Sequence, residues 1–364
     1  MSGDWRRYLA SGPVTASAPC RIDLGGTLDL PAVGLLLDHL SPCTVNIALD
    51  LRTRVQVSAG RPGRIRVTAD GFAPAAFAPG QAPYDHPLGL IFAVADSFGA
   101  DGVEIHVASS SPPRSALGGS SVAAVALVAA LTRAAAPRAT RSVNRRQVAL
   151  LARRIEGAAA GVACGLQDQL AAAYGGINAW YWGHRRGPAA FRRRRLAAPG
   201  GADTLNRCLL VAYGGKPHVS LDVNGQWVQG FRHGGPQRNT WRRIAALTHD
   251  FIDAWERGDL KAAGEVLNTD TRLRRRMTPE VLDEAGQRLA EAAVAAGCGA
   301  RFAGAGGGGC VWALGTAAAI AGLRETWQTI LATIPHGRLL DARVDGRGVA
   351  VSMPPTGSPS AAKA

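Results

Sequence analysis

Four short stretches of the chain hold residues that could move a phosphoryl group. The first is Ser111-Pro-Pro-Arg-Ser-Ala-Leu-Gly-Gly-Ser-Ser121, a loop that opens directly into an apolar helix. The first turn of a helix leaves its N–H groups unpaired and bears the positive end of the macrodipole. Such a junction is a ready anion site, and Ser120 and Ser121 add hydroxyls for a phosphate or its magnesium. It is equally a capped helix behind a tight turn. It is not a Walker loop, because no Lys follows the glycines as GxxxxGK[ST] requires. The second stretch, Gly304-Ala-Gly-Gly-Gly-Gly309, has five glycines in six residues. It formally satisfies GxGxxG, but a dinucleotide fingerprint needs a helix next, and Cys310–Leu314 reads as a strand. A loop pressing its backbone near a ligand explains so entropically costly a run better than a hairpin does.

The third stretch places Glu156 on a helix and Asp168 twelve residues on, before Tyr174-Gly-Gly-Ile-Asn178. Phosphoryl transfer asks for a magnesium ligand and for a group that orients or deprotonates the attacking hydroxyl. Singly, Glu156 reads as a surface helical acid and Asp168 as a capping residue. The fourth stretch sets Arg21 and Asp29 on either side of Gly25-Gly26, which alone would be an ordinary strand and turn.

Elements must position these groups. Val45–Leu49, Arg52–Ser58, Arg64–Thr68 and Val103–Val107 carry the alternation or β-branching of strands, with a turn at Pro62-Gly63. Helical spacing covers 88–98 and about 120–135, and a helix over about 143–160 has Ser142 as its candidate cap. A short helix spans about 167–173 and the strand Ile177–Trp182 follows the Gly175-Gly176 break. Residues 183–203, rich in Arg, Gly, Pro and Ala, read as a linker or exposed loop. Beyond them come the strand Cys208–Tyr213, helices over about 240–257 and 260–275, and a helix begun by Thr278 and Pro279. Strands Arg301–Ala303 and Cys310–Leu314 enclose the glycine loop. A helix over about 317–334 and strands near 342–344 and 349–353 complete the pattern.

At 364 residues the chain exceeds one typical core. The division expected is 1–200, 201–353 and a Pro/Ser/Ala-rich disordered tail over 354–364. A composition 47% hydrophobic and 19% charged is globular. The net charge of +14 lies in short arginine clusters with few aromatics beside them. A solvated basic surface explains these better than a single-strand stacking platform, and no nucleic-acid partner is expected. Six cysteines lack zinc-like spacing. With no signal-peptide core at the N-terminus, the expected compartment is the cytoplasm. The longest apolar run, 122–131, is far short of the roughly 20 residues of a membrane span.

Taken together and in this order, the stretches resemble the GHMP superfamily, which includes galactokinase and the homoserine, mevalonate and phosphomevalonate kinases. The resemblance runs from about Ala18 to Leu314. Ser115-Ala-Leu-Gly-Gly-Ser-Ser121 is similar to the family's second motif and Gly304–Cys310 to its third. Ala18-Pro-Cys-Arg-Ile-Asp-Leu-Gly-Gly-Thr-Leu-Asp-Leu-Pro31 is most similar to fucose kinases and heptose 7-phosphate kinases, one residue shorter at Gly25–Thr27. Galactokinases carry a Glu-His-x-x-Asp stretch where this chain has Thr27 and Leu28. Arg114 and Ala116 stand where relatives usually have glycine.

The resemblance implies a two-domain α+β fold: an N-terminal domain like the second domain of a ribosomal protein, and a ferredoxin-like C-terminal domain. It implies an ATP- and Mg2+-dependent kinase acting on a monosaccharide or sugar phosphate, as a monomer or homodimer. A non-sugar alcohol acceptor or a catalytically silent binding protein are the competing readings. Residue by residue, Asp168 would orient or deprotonate the acceptor hydroxyl and Arg21 would stabilise charge beside it. Glu156 and Ser120 would hold magnesium, with Ser121 the neighbouring alternative. Ser115, Leu117, Gly118, Gly119, Ser120, Ser121, Gly304, Gly306 and Gly307 would bind ATP, and Asp29 and Gly176 the acceptor.

Overall fold

A computed structural model describes residues 5–9, 12–136, 143–161, 164–183, 187, 191–217 and 223–353. The expected tail and the candidate cap Ser142 lie outside them. Two sheets organise the chain. The larger contains β1 (Val14–Leu24), β2 (Cys43–Ala59), β3 (Ile65–Ala69), β4 (Phe72–Phe77), β5 (Val103–Ser109), β6 (Ile177–Trp182) and β7 (Phe191–Arg195). The smaller contains β8 (Leu209–Tyr213), β9 (Gly299–Phe302), β10 (Cys310–Leu314) and β11 (Arg338–Leu340) in the order β11-β8-β10-β9. The last strand, β12 (Ala350–Ser352), returns to the larger sheet and pairs with β1.

The two strands expected at 45–49 and 52–58 are one long strand, β2. Its first part pairs with β6 and its second with β5, while β1 runs along its other edge. The β1 register shifts between Pro19 and Cys20, so that Asp50 and Leu51 of β2 are passed over. Irregularities of this kind re-aim side chains beside sites, and this one comes immediately before Arg21.

The helix Gly119–Ala135 packs on β1 and β2, and every residue from Val122 to Leu131 is buried. Burial on all sides is what an Ala/Val-rich helix without a polar face requires. The helix Arg145–Ala160 is capped by Asn144, whose side chain accepts from the Gln147 N–H. Among the described residues no helix is long and apolar enough to cross a membrane.

Three local expectations are corrected. The 183–203 stretch is not loop throughout, because Phe191–Arg195 pairs with β6 as an edge strand. Its arginines hid the pattern, yet Arg192 stacks on Tyr181 and Arg193 on Tyr174 at 4.1 and 4.6 Å from the ring centroids. Thr278 and Pro279 open only a single 3₁₀ turn, Pro279–Val281. The helix that follows is Glu284–Ala295, capped by Asp283. The strand at 342–344 shrinks to one bridge between Val344 and Leu49.

Candidate active site

A cavity of about 550 Å³ opens between the tip of the 119–135 helix, the end of β1 and the glycine loop between β9 and β10. Phe72, Pro87, Leu88 and Ile91 make one apolar part of its wall. Arg21, Asp29, Asp168 and Asn224 contribute polar groups to it.

Arg21 comes from β1 and is 3% exposed. Its Nε and Nη2 donate to the two carboxylate oxygens of Asp168 at 2.8 and 2.9 Å, and its Nη1 donates to the Ala116 carbonyl at 2.7 Å. One guanidinium therefore ties Asp168, in the first turn of the Gln167–Tyr174 helix, to the phosphate-type loop. Burial disfavours the charged guanidinium, but the Asp168 and Asp23 carboxylates outweigh it and hold the Arg21 pKa above its ordinary value. The tip of the 119–135 helix is close by. A Cβ placed on Gly118 would be 3.3 Å from Asp168 Oδ2.

Glu156 lies on the other side of the helix tip. Its Oε1 accepts from the Ser120 hydroxyl at 2.9 Å, and its Oε2 accepts from Ser121 and from Gln169 Nε2, each at 2.7 Å. Burial pushes its pKa up, and the three donated hydrogen bonds oppose this only in part.

The glycine run at 304–309 acts as a strut. Gly304 N–H donates to Asp23 Oδ1 at 2.8 Å, Gly307 N–H to the Val281 carbonyl at 3.0 Å, and Cys310 N–H to the Ser115 carbonyl at 2.9 Å. Gly304 and Gly306 to Gly309 all have positive φ, which side-chain-bearing residues adopt only under strain.

Residues 86–176 match the family model described as the GHMP kinases N-terminal domain. That segment carries the signature of the GHMP kinase N-terminal domain. The chain's architecture is that of the GHMP kinases over nearly the whole length. Phosphomevalonate kinase from Streptococcus pneumoniae, in complex with phosphomevalonate and AMPPNP, superposes with a TM-score of 0.71 at 16% identity, over 91% of this chain and 99% of that one. Galactokinase from Lactococcus lactis, complexed with galactose, gives 0.68 at 16%, over 96% and 98%. A D-glycero-D-manno-heptose 1-phosphate kinase from Bacteriodes thetaiotaomicron gives 0.66 at 17%, over 93% and 99%. No curated protein matches the sequence.

Of the residues singled out in the sequence, Arg21, Asp29, Ser115, Gly118, Gly119, Ser120, Ser121, Asp168 and Gly304 line the cavity. Leu117 is buried beneath it, its carbonyl accepting from the Arg21 N–H at 3.2 Å. Glu156 is reached through the two serines. Gly306, Gly307 and Gly176 are not among the lining residues. Gly176 instead joins strands, its N–H donating to the Asp345 carbonyl.

Asp29 has a task that its sequence position did not announce. Its Oδ2 accepts from the N–H groups of Leu166 and Gln167 at 2.8 and 3.1 Å, anchoring the start of the helix that carries Asp168. Gly165 leaves room for this, since a Cβ there would meet Asp29 Oδ2 at 1.8 Å. Burial raises the Asp29 pKa to about 6, with the backbone donors opposing and the Asp168 charge reinforcing the shift.

A carboxyl that holds its proton longer in the folded state than in the unfolded one destabilises the fold once ionised. Asp29 therefore favours the fold below about pH 4, and that advantage is lost as pH rises through about 6. Asp29→Asn is expected to match or exceed wild-type stability at pH 8. The gap, on the order of 2–3 kcal/mol, should shrink as pH falls to 4.5, read by urea denaturation across pH. A constant gap would remove Asp29 as its source.

A second layer went unnoticed in the sequence. Arg301 donates to Asp270 Oδ2 at 2.8 Å and to the Asp23 carbonyl at 2.9 Å. Arg274 donates to both Asp270 oxygens at 3.1 Å and to the Gly26 carbonyl at 2.9 Å. Asp23 also faces Arg21 at 3.7 Å. A buried series of alternating charge thus runs from Asp168 to the helix Leu260–Met277. The side chains of Asp270, Arg274 and Arg301 are fully buried. Its bonded pairs sit up to 278 positions apart, so no local spacing could signal it.

Proposed function

We propose that the protein transfers the γ-phosphoryl group of ATP to a hydroxyl of a monosaccharide or sugar phosphate. The observation that carries this reading is the placement of the Arg21-clamped Asp168 carboxylate beside the tip of the 119–135 helix, in one cavity. The helix tip and its glycine turn receive phosphates, and the apolar wall of Phe72, Leu88 and Ile91 suits the adenine ring. Asp168 keeps lone pairs beyond those that Arg21 occupies, and from there orients or accepts the proton of the acceptor hydroxyl. Arg21 offsets negative charge on the transferring group.

Mg2+ usually keeps several waters and takes one or two carboxylates together with substrate phosphates. Glu156 with Ser120 fits that pattern, and Gln169, which bonds Glu156, has a buried Oε1 with no partner. Bound there, the ion would supply neutralisation of phosphate charge. Ser120 and Glu156 would first give up their mutual hydrogen bond.

One observation favours a second acceptor class. Asp29, expected to meet sugar hydroxyls, has Oδ2 committed to backbone. This takes one carboxylate oxygen away from those the wall could offer to sugar hydroxyls, although Thr27, Gln167 and Asn224 are among the polar groups that remain, and so speaks for a less hydroxylated alcohol. Assaying ADP release with ATP, Mg2+ and panels of free sugars, sugar phosphates and isoprenoid or amino-acid alcohols separates the two. Turnover with at least one sugar or sugar phosphate is expected. Turnover confined to the other alcohols selects the second reading, and nucleotide binding without ADP release on any panel overturns both.

A further inference from the structure

Among the described residues, three acids line the cavity, Asp29, Asp70 and Asp168, against two cations, Arg21 and Arg114, with no lysine or histidine. A nucleoside triphosphate entering such a space meets little uncommitted positive charge, because Arg21 already donates to Asp168 and to the Ala116 carbonyl and acts on the transferring group from that fixed position. Arg114 is in the opposite state. Its guanidinium has no hydrogen-bond or ion-pair partner among the described residues, Asp70 included, although it belongs to the cavity wall and to the loop that leads into the 119–135 helix.

The backbone at Arg114 makes this harder to dismiss as a surface charge. Its φ is 52°, in the left-handed region, where a Cβ crowds the carbonyl. Strain of this kind persists where the surroundings over-determine it, and it gathers at ligand clamps. The surroundings do so here. Pro112 and Pro113 restrict the approach to the residue, and the next carbonyl, that of Ser115, is held by the Cys310 N–H at 2.9 Å. A glycine would occupy the position without strain. What arginine adds there is a free, planar donor fork at the cavity wall.

We infer that Arg114 is a phosphate ligand of the bound nucleotide, supplying to this lysine-less loop the cation that a Walker loop takes from its lysine. Guanidinium donors pair with phosphate oxygens in bidentate fashion, so the residue reads the presence of the distal phosphates rather than the base. This inference rests on the ATP-dependent reading above.

Calorimetric titration of ATP, ADP and adenosine into the wild type and into Arg114→Gly, Arg114→Ala and Arg114→Lys tests it. Removing a charge-assisted bond should weaken ATP binding roughly ten- to hundred-fold in the Gly and Ala variants, and adenosine binding should not change. The dependence of ATP affinity on salt should become shallower, and lysine should recover part of the loss. The thermal midpoint of Arg114→Gly should equal or exceed that of wild type, so that unfolding does not account for the weakened binding. ATP affinity within two-fold of wild type in both Gly and Ala variants overturns the inference. So does an equal loss of ATP and adenosine, which would make Arg114 a determinant of loop shape alone. A wild-type protein that binds none of the three ligands removes the kinase reading itself, a result distinct from the other two.

Discussion

Asp168→Asn is expected to lower kcat by a factor of about 10² to 10⁴, the range spanned by positioned proton-transfer groups, with the fold preserved. Asparagine keeps the shape and one acceptor oxygen for Arg21, but it cannot take a proton, and it leaves the Arg21 charge offset only by Asp23 at 3.7 Å. The Arg21 side chain is only 4% exposed, so losing part of its compensation also costs some stability, and the rates are to be compared on protein shown by circular dichroism to be folded at the assay temperature. A group that acts in the transition state lowers kcat and kcat/KM together. The KM for ATP should therefore stay near the wild-type value, and the loss should appear in initial rates of ADP release under saturating nucleotide. Turnover within three-fold of wild type would take the proton-handling role away from this residue.

Asp270→Asn should have the largest effect on stability, a loss of about 3–5 kcal/mol, the range for breaking one partner out of a buried ion pair. Among the described residues Asp270 is the one acid that both Arg274 and Arg301 contact, and all three side chains are fully buried. Burial alone would raise the Asp270 pKa, but Arg274 and Arg301 outweigh it and hold the carboxyl below its ordinary range. Stability from this group is thus complete above the unfolded carboxylate range and is lost as pH falls through the lower folded-state value. Asparagine would remove the carboxylate that Arg274 pairs with and leave Arg301 with Asp23 at 3.3 Å, and among the described residues Arg274 Nη1 and Arg301 Nη2 already lack hydrogen-bond partners. Urea denaturation followed by tryptophan emission is a direct readout, since the Arg274 guanidinium sits 5.0 Å from the rings of both Trp227 and Trp241. A change below 1 kcal/mol would show that the rest of the network compensates.

These two residues differ in how they could be found. Asp168 stands in a recognisable order of motifs, with glycine turns and serine hydroxyls on either side in the chain. Asp270 stands in an amphipathic helix, four residues before Arg274, where the pair looks like one more solvated i, i+4 contact. In the fold its helix packs on β9, which brings Arg301 to it, and the pair is fully buried.

The sequence by itself determined what depends on neighbours along the chain. The apolar run from Val122 to Leu131 dictated a buried helix, the glycines at 118 and 119 its entry turn, and the alternation in β5 its strand. The ordered motifs led to the GHMP kinase architecture. Tertiary structure decided whatever needed partners from far away: that Asp29 serves the helix of Asp168 across 137 positions, that the arginines of β7 cover an aromatic sheet edge, and that the glycine run at 304–309 braces the loop before the 119–135 helix. Periodicity and turn chemistry are written in local steric and solvation preferences. The partner of a buried charge is chosen by which strands and helices the fold brings to one place, and no spacing within a segment records that choice.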